Sequence, residues 1–161
     1  MFTYPTAMKV TDELIDQVLE QGENQSLDPT PYMESLKYLL LEDEDVKMEE
    51  EDHAHLIFVG TVCLECLRRT DQYKEIDDEE MLFDMEEANW EALEASDGDL
   101  DNFYDRIAED FPEESLLEFL AFSILPSEED EEGPLLSSED AQVLGFMRLK
   151  AMLDAILLPV I

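Results

Sequence analysis

Between Glu75 and Asp101 the chain reads EIDDEEMLFDMEEANWEALEASDGDLD, with thirteen carboxylates and no lysine or arginine. Unpaired charges in that number cannot be taken out of water. The stretch can therefore order only as an element that keeps one whole side in solvent. Its apolar residues recur at helical spacing, which predicts a helix from about Asp77 to Ala95, ended by Ser96-Asp97-Gly98. With Leu82 set at zero and about 100° per residue, Met81, Leu82, Met85, Ala88, Ala92 and Leu93 fall on the expected core side. Glu80, Asp84, Glu87, Glu91 and Glu94 fall in an arc roughly 80° wide on the other side. Phe83 and Trp90 stand side by side at the border of that row.

The row works against the helix that carries it. Glu80–Asp84 and Glu87–Glu91 are like-charge i,i+4 pairs, each costing a few tenths of a kcal/mol. Glu91 and Glu94 also face the negative end of the helix dipole. Selection for stability alone would have placed lysines here, yet no base stands between Lys74 and Arg106. The competing explanation is a merely solvated helix face, with Phe83 and Trp90 as core-edge packing.

The bias extends over the whole chain. Its 161 residues carry 44 acids against 9 bases, a net charge of −35. Apolar residues still make up 45%, enough for a core and unlike a disordered acidic tail. Salt adaptation would favour Asp and small apolar residues, whereas this chain has 26 Glu against 18 Asp and is rich in Leu and Phe.

Helical periodicity dominates elsewhere too. A first helix is expected after Thr11, with Leu14, Ile15 and Val18 inward and Gly22 at its end. A second starts at Thr30-Pro31, with Tyr32, Met33, Leu36, Leu39 and Leu40 inward. A third, from Glu50 to Arg69, is apolar nearly all round and should lie centrally, with Gly60 marking the close approach of a neighbour. A fifth spans Leu100 to Asp110, followed by a sixth opened by Pro112, with Leu116, Leu117, Phe119, Leu120, Phe122, Ile124 and Leu125 filling its sides. PSEEDEEGPLLSS, Pro126 to Ser138, reads as a flexible acidic loop. Ser137 with Asp140 resembles a capping box for a central last helix ending by Leu158. The expectation is one all-α domain over residues 1–161, a bundle of six or seven helices.

Other constellations point to little chemistry. Cys63-Leu64-Glu65-Cys66 lies late in an apolar helix, where two buried thiols are expected rather than a redox pair. His53 lies about 15 Å from Cys63 on a straight helix, too far to share a zinc ion. Asp97-Gly98-Asp99-Leu100-Asp101 begins like a calcium loop, but Asn102 replaces the needed Gly and Ala108 the needed Glu. No phosphate-binding glycine motif and no nucleophile stand out, so neither an enzyme nor a cofactor or metal is expected. Like-charge repulsion disfavours direct nucleic-acid binding and acidic membranes. No secretory segment is read at the start, and a cytoplasmic protein is expected.

A cationic partner remains. Duplex DNA carries one charge per about 1.7 Å, so 35 charges match roughly 60 Å of duplex. In this respect the chain resembles, as a functional class only, the acidic phage and bacterial proteins that act as DNA mimics. The expected role is an inhibitor occluding the nucleic-acid-binding surface of a basic protein, such as a nuclease, a restriction or CRISPR effector, or a DNA-binding regulator. Its candidate contact residues are Glu80, Asp84, Glu87, Trp90, Glu91 and Glu94, extended by Asp97, Asp99 and Asp101. The second-choice surface is Glu42, Asp43, Glu44, Asp45, Glu49, Glu50 and Glu51. Two alternatives use the same electrostatics: an immunity protein gripping an exosite of a basic toxin, and an acidic scaffold or chaperone for basic proteins acting through the Ser127–Ser138 tract.

Overall fold

The computed structural model describes residues 10–24, 27–41, 45–74, 76, 78–125 and 138–157. The fold is all-α, as the periodicity predicts, with seven α-helices and no strand among the described residues. They are α1 (Asp12–Asn24), α2 (Met33–Leu36), α3 (Glu50–Arg69), α4 (Glu79–Ala95), α5 (Leu100–Asp110), α6 (Glu114–Ile124) and α7 (Glu139–Leu157). Two 3-10 turns, Thr30–Tyr32 and Lys37–Leu40, flank α2.

The centre is built by α3 and α7. Nearly every residue of α7 from Ala141 to Ile156 is buried, and it packs on α4, α6, α3 and the second 3-10 turn. At Gly60 α3 packs closely against its neighbours. A Cβ there would stand 2.9 Å from Leu36, 3.1 Å from Leu39 and 3.3 Å from Leu149. Cys63 and Cys66 are free and buried, and burial pushes the Cys66 thiol up to about 12 and that of Cys63 higher still. Both sulfurs therefore act as small apolar groups.

Local signals account for most helix starts. Thr11 Oγ1 accepts the Leu14 N–H at 3.1 Å and Asp78 Oδ1 accepts the Met81 N–H at 3.3 Å. Glu49 and Asp52 form a reciprocal capping box for α3, and Asp52 is buried in doing so.

The structure corrects several expectations. Gly22 does not end α1, which continues to Asn24; the glycine lets Leu27 and Phe58 approach within 3.2 Å of the position a Cβ would take. The second helix is mostly 3-10 in pitch. Three residues per turn bring Tyr32, Ser35 and Tyr38 onto one buried face and turn Leu40 outward. Helix α6 starts two residues after Pro112, because the Glu113 side chain is drawn inside to accept the Val10 N–H at 2.9 Å. Phe122 does not fill a side of α6; it is 85% exposed. Ser138 caps α7, with its Oγ accepting the Ala141 N–H at 3.1 Å. The loop expected at 126–138 lies, but for Ser138, outside the described residues, as does Ser137. Among the described residues no helix is long and apolar enough to cross a membrane.

Candidate functional site

Helix α4 packs chiefly on α7 and α5. Its buried axis runs through Leu82 and Asn89, flanked by the half-buried Met85, Glu86 and Leu93. This sits slightly to one side of the expected axis: Asn89 replaces Ala88, and Ala88 is exposed. The reason is a polar network with α7. Asn89 Nδ2 donates to Asp154 Oδ2 at 3.0 Å, and Lys150 Nζ donates to the same carboxylate at 2.6 and 2.8 Å. Lys150 also lies 5.0 Å from the centre of the Phe111 ring.

One helical turn away Glu86 is the second polar hub. It accepts hydrogen bonds from the Tyr38 hydroxyl and, at 3.0 Å, from the Trp90 indole N–H. The Arg148 guanidinium stands 3.7 Å from it. Burial, then the hydrogen bond to Glu86, raises the Tyr38 hydroxyl far above its ordinary range.

Both cations of α7 are thus turned inward onto Glu86 and Asp154. The outward side of α4 receives none. Glu80, Asp84, Glu87, Glu91 and Glu94 are all exposed, and among the described residues none makes a salt bridge. They lie along about 21 Å of helix at a rise of about 1.5 Å per residue.

The turn after α4 continues the series. Asp97 and Gly98 adopt positive φ of 57° and 74°, and the Gly98 N–H closes on the Leu93 carbonyl at 3.0 Å. This turn directs the chain into α5, where Asp99 Oδ1 caps the Asp101 and Asn102 N–H groups at 2.9 and 3.2 Å. Asp97, Asp99 and Asp101 are exposed, but Asp99 and Asp101 also have a local reason to be acidic, at the positive end of α5.

The two aromatics of the border separate in role. Trp90 is half-buried, packed on the core, and its only polar group is committed to Glu86. Phe83 is 49% exposed and rests edge-on against Tyr38 with ring centres 5.7 Å apart. Phe83 is therefore the freer aromatic beside the row, which the sequence pattern alone does not distinguish from Trp90.

The second-choice cluster is of a different kind. Glu42, Asp43 and Glu44 lie outside the described residues. Asp45 and Glu49 to Glu51 are exposed, but Glu49 caps α3 and Glu50 and Glu51 occupy its first turn. There the helix dipole stabilises negative charge by about 0.3–1 kcal/mol each. Glu91 and Glu94, near the other end of α4, have no such compensation.

Sequence reasoning missed the exposed rings of Phe58 and Phe122. A signal existed for the latter: Leu116, Leu117, Leu120 and Ile124 already define one buried arc of α6, and Phe122 falls opposite it. Comparison of the chain with protein-family models, curated proteins and solved structures finds no match.

Proposed function

We propose that the protein is a non-enzymatic acidic inhibitor that occupies the nucleic-acid-binding surface of a basic protein. The observation that carries this reading is the outward row of α4. Five exposed carboxylates follow one another without a paired cation, while Arg148 and Lys150 are spent inside on Glu86 and Asp154. One carboxylate per roughly 5 Å of helix compares with one phosphate per 3.4 Å of each DNA strand. A groove that grips phosphates would meet a rigid line of anions of similar density. Binding would be fast and sensitive to salt, because charge complementarity acts mainly on the rate of encounter. Phe83, at the edge of the row, supplies the apolar anchor that charge alone lacks. No bond is made or broken in this mechanism; the inhibitor excludes nucleic acid by filling its place.

The test is competition. Partner protein captured on the immobilised chain should be displaced by duplex DNA or heparin at low salt. A partner that stays bound while the polyanion occupies its own site would favour exosite binding, as in an immunity protein, and would defeat mimicry.

A further inference from the structure

An apolar groove of about 440 Å³ opens between α1 and α6, with α3 as its floor. Ile15 and Leu19 line it from α1, Phe58 and Val59 from α3, and Phe119 and Phe122 from α6. Its rings are unusually bare: Phe58 is 39% exposed and Phe122 85%. Adjacent exposed aromatics of this kind mark binding surfaces more often than chance exposure. The rim is acidic. Asp12 and Asp16 stand on one wall and Glu118 on the other, and among the described residues none of the three makes a salt bridge. Among the described residues His55 is the only basic side chain in the lining, and its Nε2 is held 2.9 Å from the Ser123 carbonyl oxygen.

We infer that this groove binds an amphipathic helix whose apolar stripe is flanked by lysine or arginine. The apolar floor takes side chains at i, i+3, i+4 and i+7, and the two acidic walls meet the flanking cations. Charge selects this occupant over a second copy of the chain. Another copy would bring the same Asp12, Asp16 and Glu118 and the same net charge of −35 to the contact. The site is independent of the α4 row: no helix contributes to both. It would let the protein hold a basic partner by a second segment, or bind a basic amphipathic peptide by itself.

The test uses two labelled Leu/Lys peptides of about 18 residues, five helical turns. One carries its leucines on a single helical face; the other has the same composition with leucines dispersed all round. Fluorescence anisotropy should show the amphipathic peptide binding at least about tenfold tighter, with helix forming on binding. Phe122→Ser, at a side chain too exposed to support the fold, should weaken it about tenfold. Combined Glu87→Lys, Glu91→Lys and Glu94→Lys should change it less than about twofold, which separates this site from the α4 row. Equal binding of both peptides would reduce the effect to bulk charge and overturn the proposal. So would an inert Phe122→Ser, a peptide with glutamate flanks binding equally well, or a stable dimer of the chain that Phe122→Ser dissolves. Binding that appears only after deletion of residues 1–9 would assign the groove to the chain itself, with the same consequence.

Discussion

The Arg148 guanidinium of α7 lies 3.7 Å from the Glu86 carboxylate of α4, with both groups screened from most solvent. This pair fixes how α4 is turned: its one inward glutamate is matched, and its outward carboxylates are left to water. Glu86→Ala would leave a buried cation with the Leu39 and Leu41 carbonyls and the Tyr38 ring but no counter-charge. It should cost roughly 2–3 kcal/mol in urea denaturation, below the roughly 3–5 kcal/mol of a fully buried pair because Glu86 keeps some contact with solvent. Glu86→Gln combined with Arg148→Met should recover most of that loss, since no buried charge remains and the amide oxygen can still accept from Tyr38 or Trp90. Additive losses in the double mutant would mean that the two groups do not act as a pair.

Gly60 and Gly22 should respond oppositely to alanine. Alanine in a helix gains about 1 kcal/mol over glycine. At Gly60 the new methyl meets Leu36, Leu39 and Leu149, all fully buried and with nowhere to move. Overpacking there costs about 1–3 kcal/mol, so Gly60→Ala should be destabilising by about 1 kcal/mol. At Gly22 the neighbours are Leu27 and the exposed ring of Phe58, which can yield. Gly22→Ala should be neutral or stabilising. Thermal denaturation of the two variants separates these outcomes.

Acid should remove a specific contribution from the C-terminal end of α3. Arg68 first, with Tyr32 and Arg69, holds the Glu65 carboxyl down to about 2 from an ordinary 4.5. A depressed carboxyl stabilises the fold fully above its unfolded value and loses that contribution as pH falls through the folded one. The loss should therefore fall between about pH 4.5 and 2. It amounts to roughly 1–2 kcal/mol once the solvent around Arg68 is allowed for. Glu65→Gln should be less stable at neutral pH and show a flatter acid limb; an unchanged limb would contradict the assignment.

These elements differ in how far the sequence determines them visibly. Helices α3 and α5 begin and end where the periodicity places them, because that signal is local. The exposed row was legible for the same reason: five carboxylates at helical spacing can face only water. The 3-10 pitch that buries Tyr38 and exposes Leu40 was not legible, since it is set by the distant partners Glu86 and Phe83. Nor was the inward turn of Arg148 and Lys150, whose carboxylate and amide partners include residues some sixty positions earlier. The α1–α3–α6 groove depends on how three separated helices meet, which no single window of sequence encodes.

The row should be a burden on the fold. Glu91→Lys converts the Glu87–Glu91 repulsion into an attraction with the glutamate N-terminal, the better orientation, and places a cation near the negative end of α4. It should raise stability by about 0.5–1 kcal/mol at low salt. The gain should shrink as salt screens the charges, and the thermal midpoint of the parent chain should rise with added salt. A destabilised Glu91→Lys would mean that the carboxylate has a partner in the fold.

The most direct measurement is capture of proteins from source-cell lysate on the parent chain and on the variant combining Glu87→Lys, Glu91→Lys and Glu94→Lys, at low and at moderate salt. The parent should retain nucleic-acid-binding proteins at low salt and release them to duplex DNA, and the variant should retain none of them. Retention of the same proteins by the charge-reversed variant at moderate salt would contradict the assignment of the α4 row as the inhibitory surface.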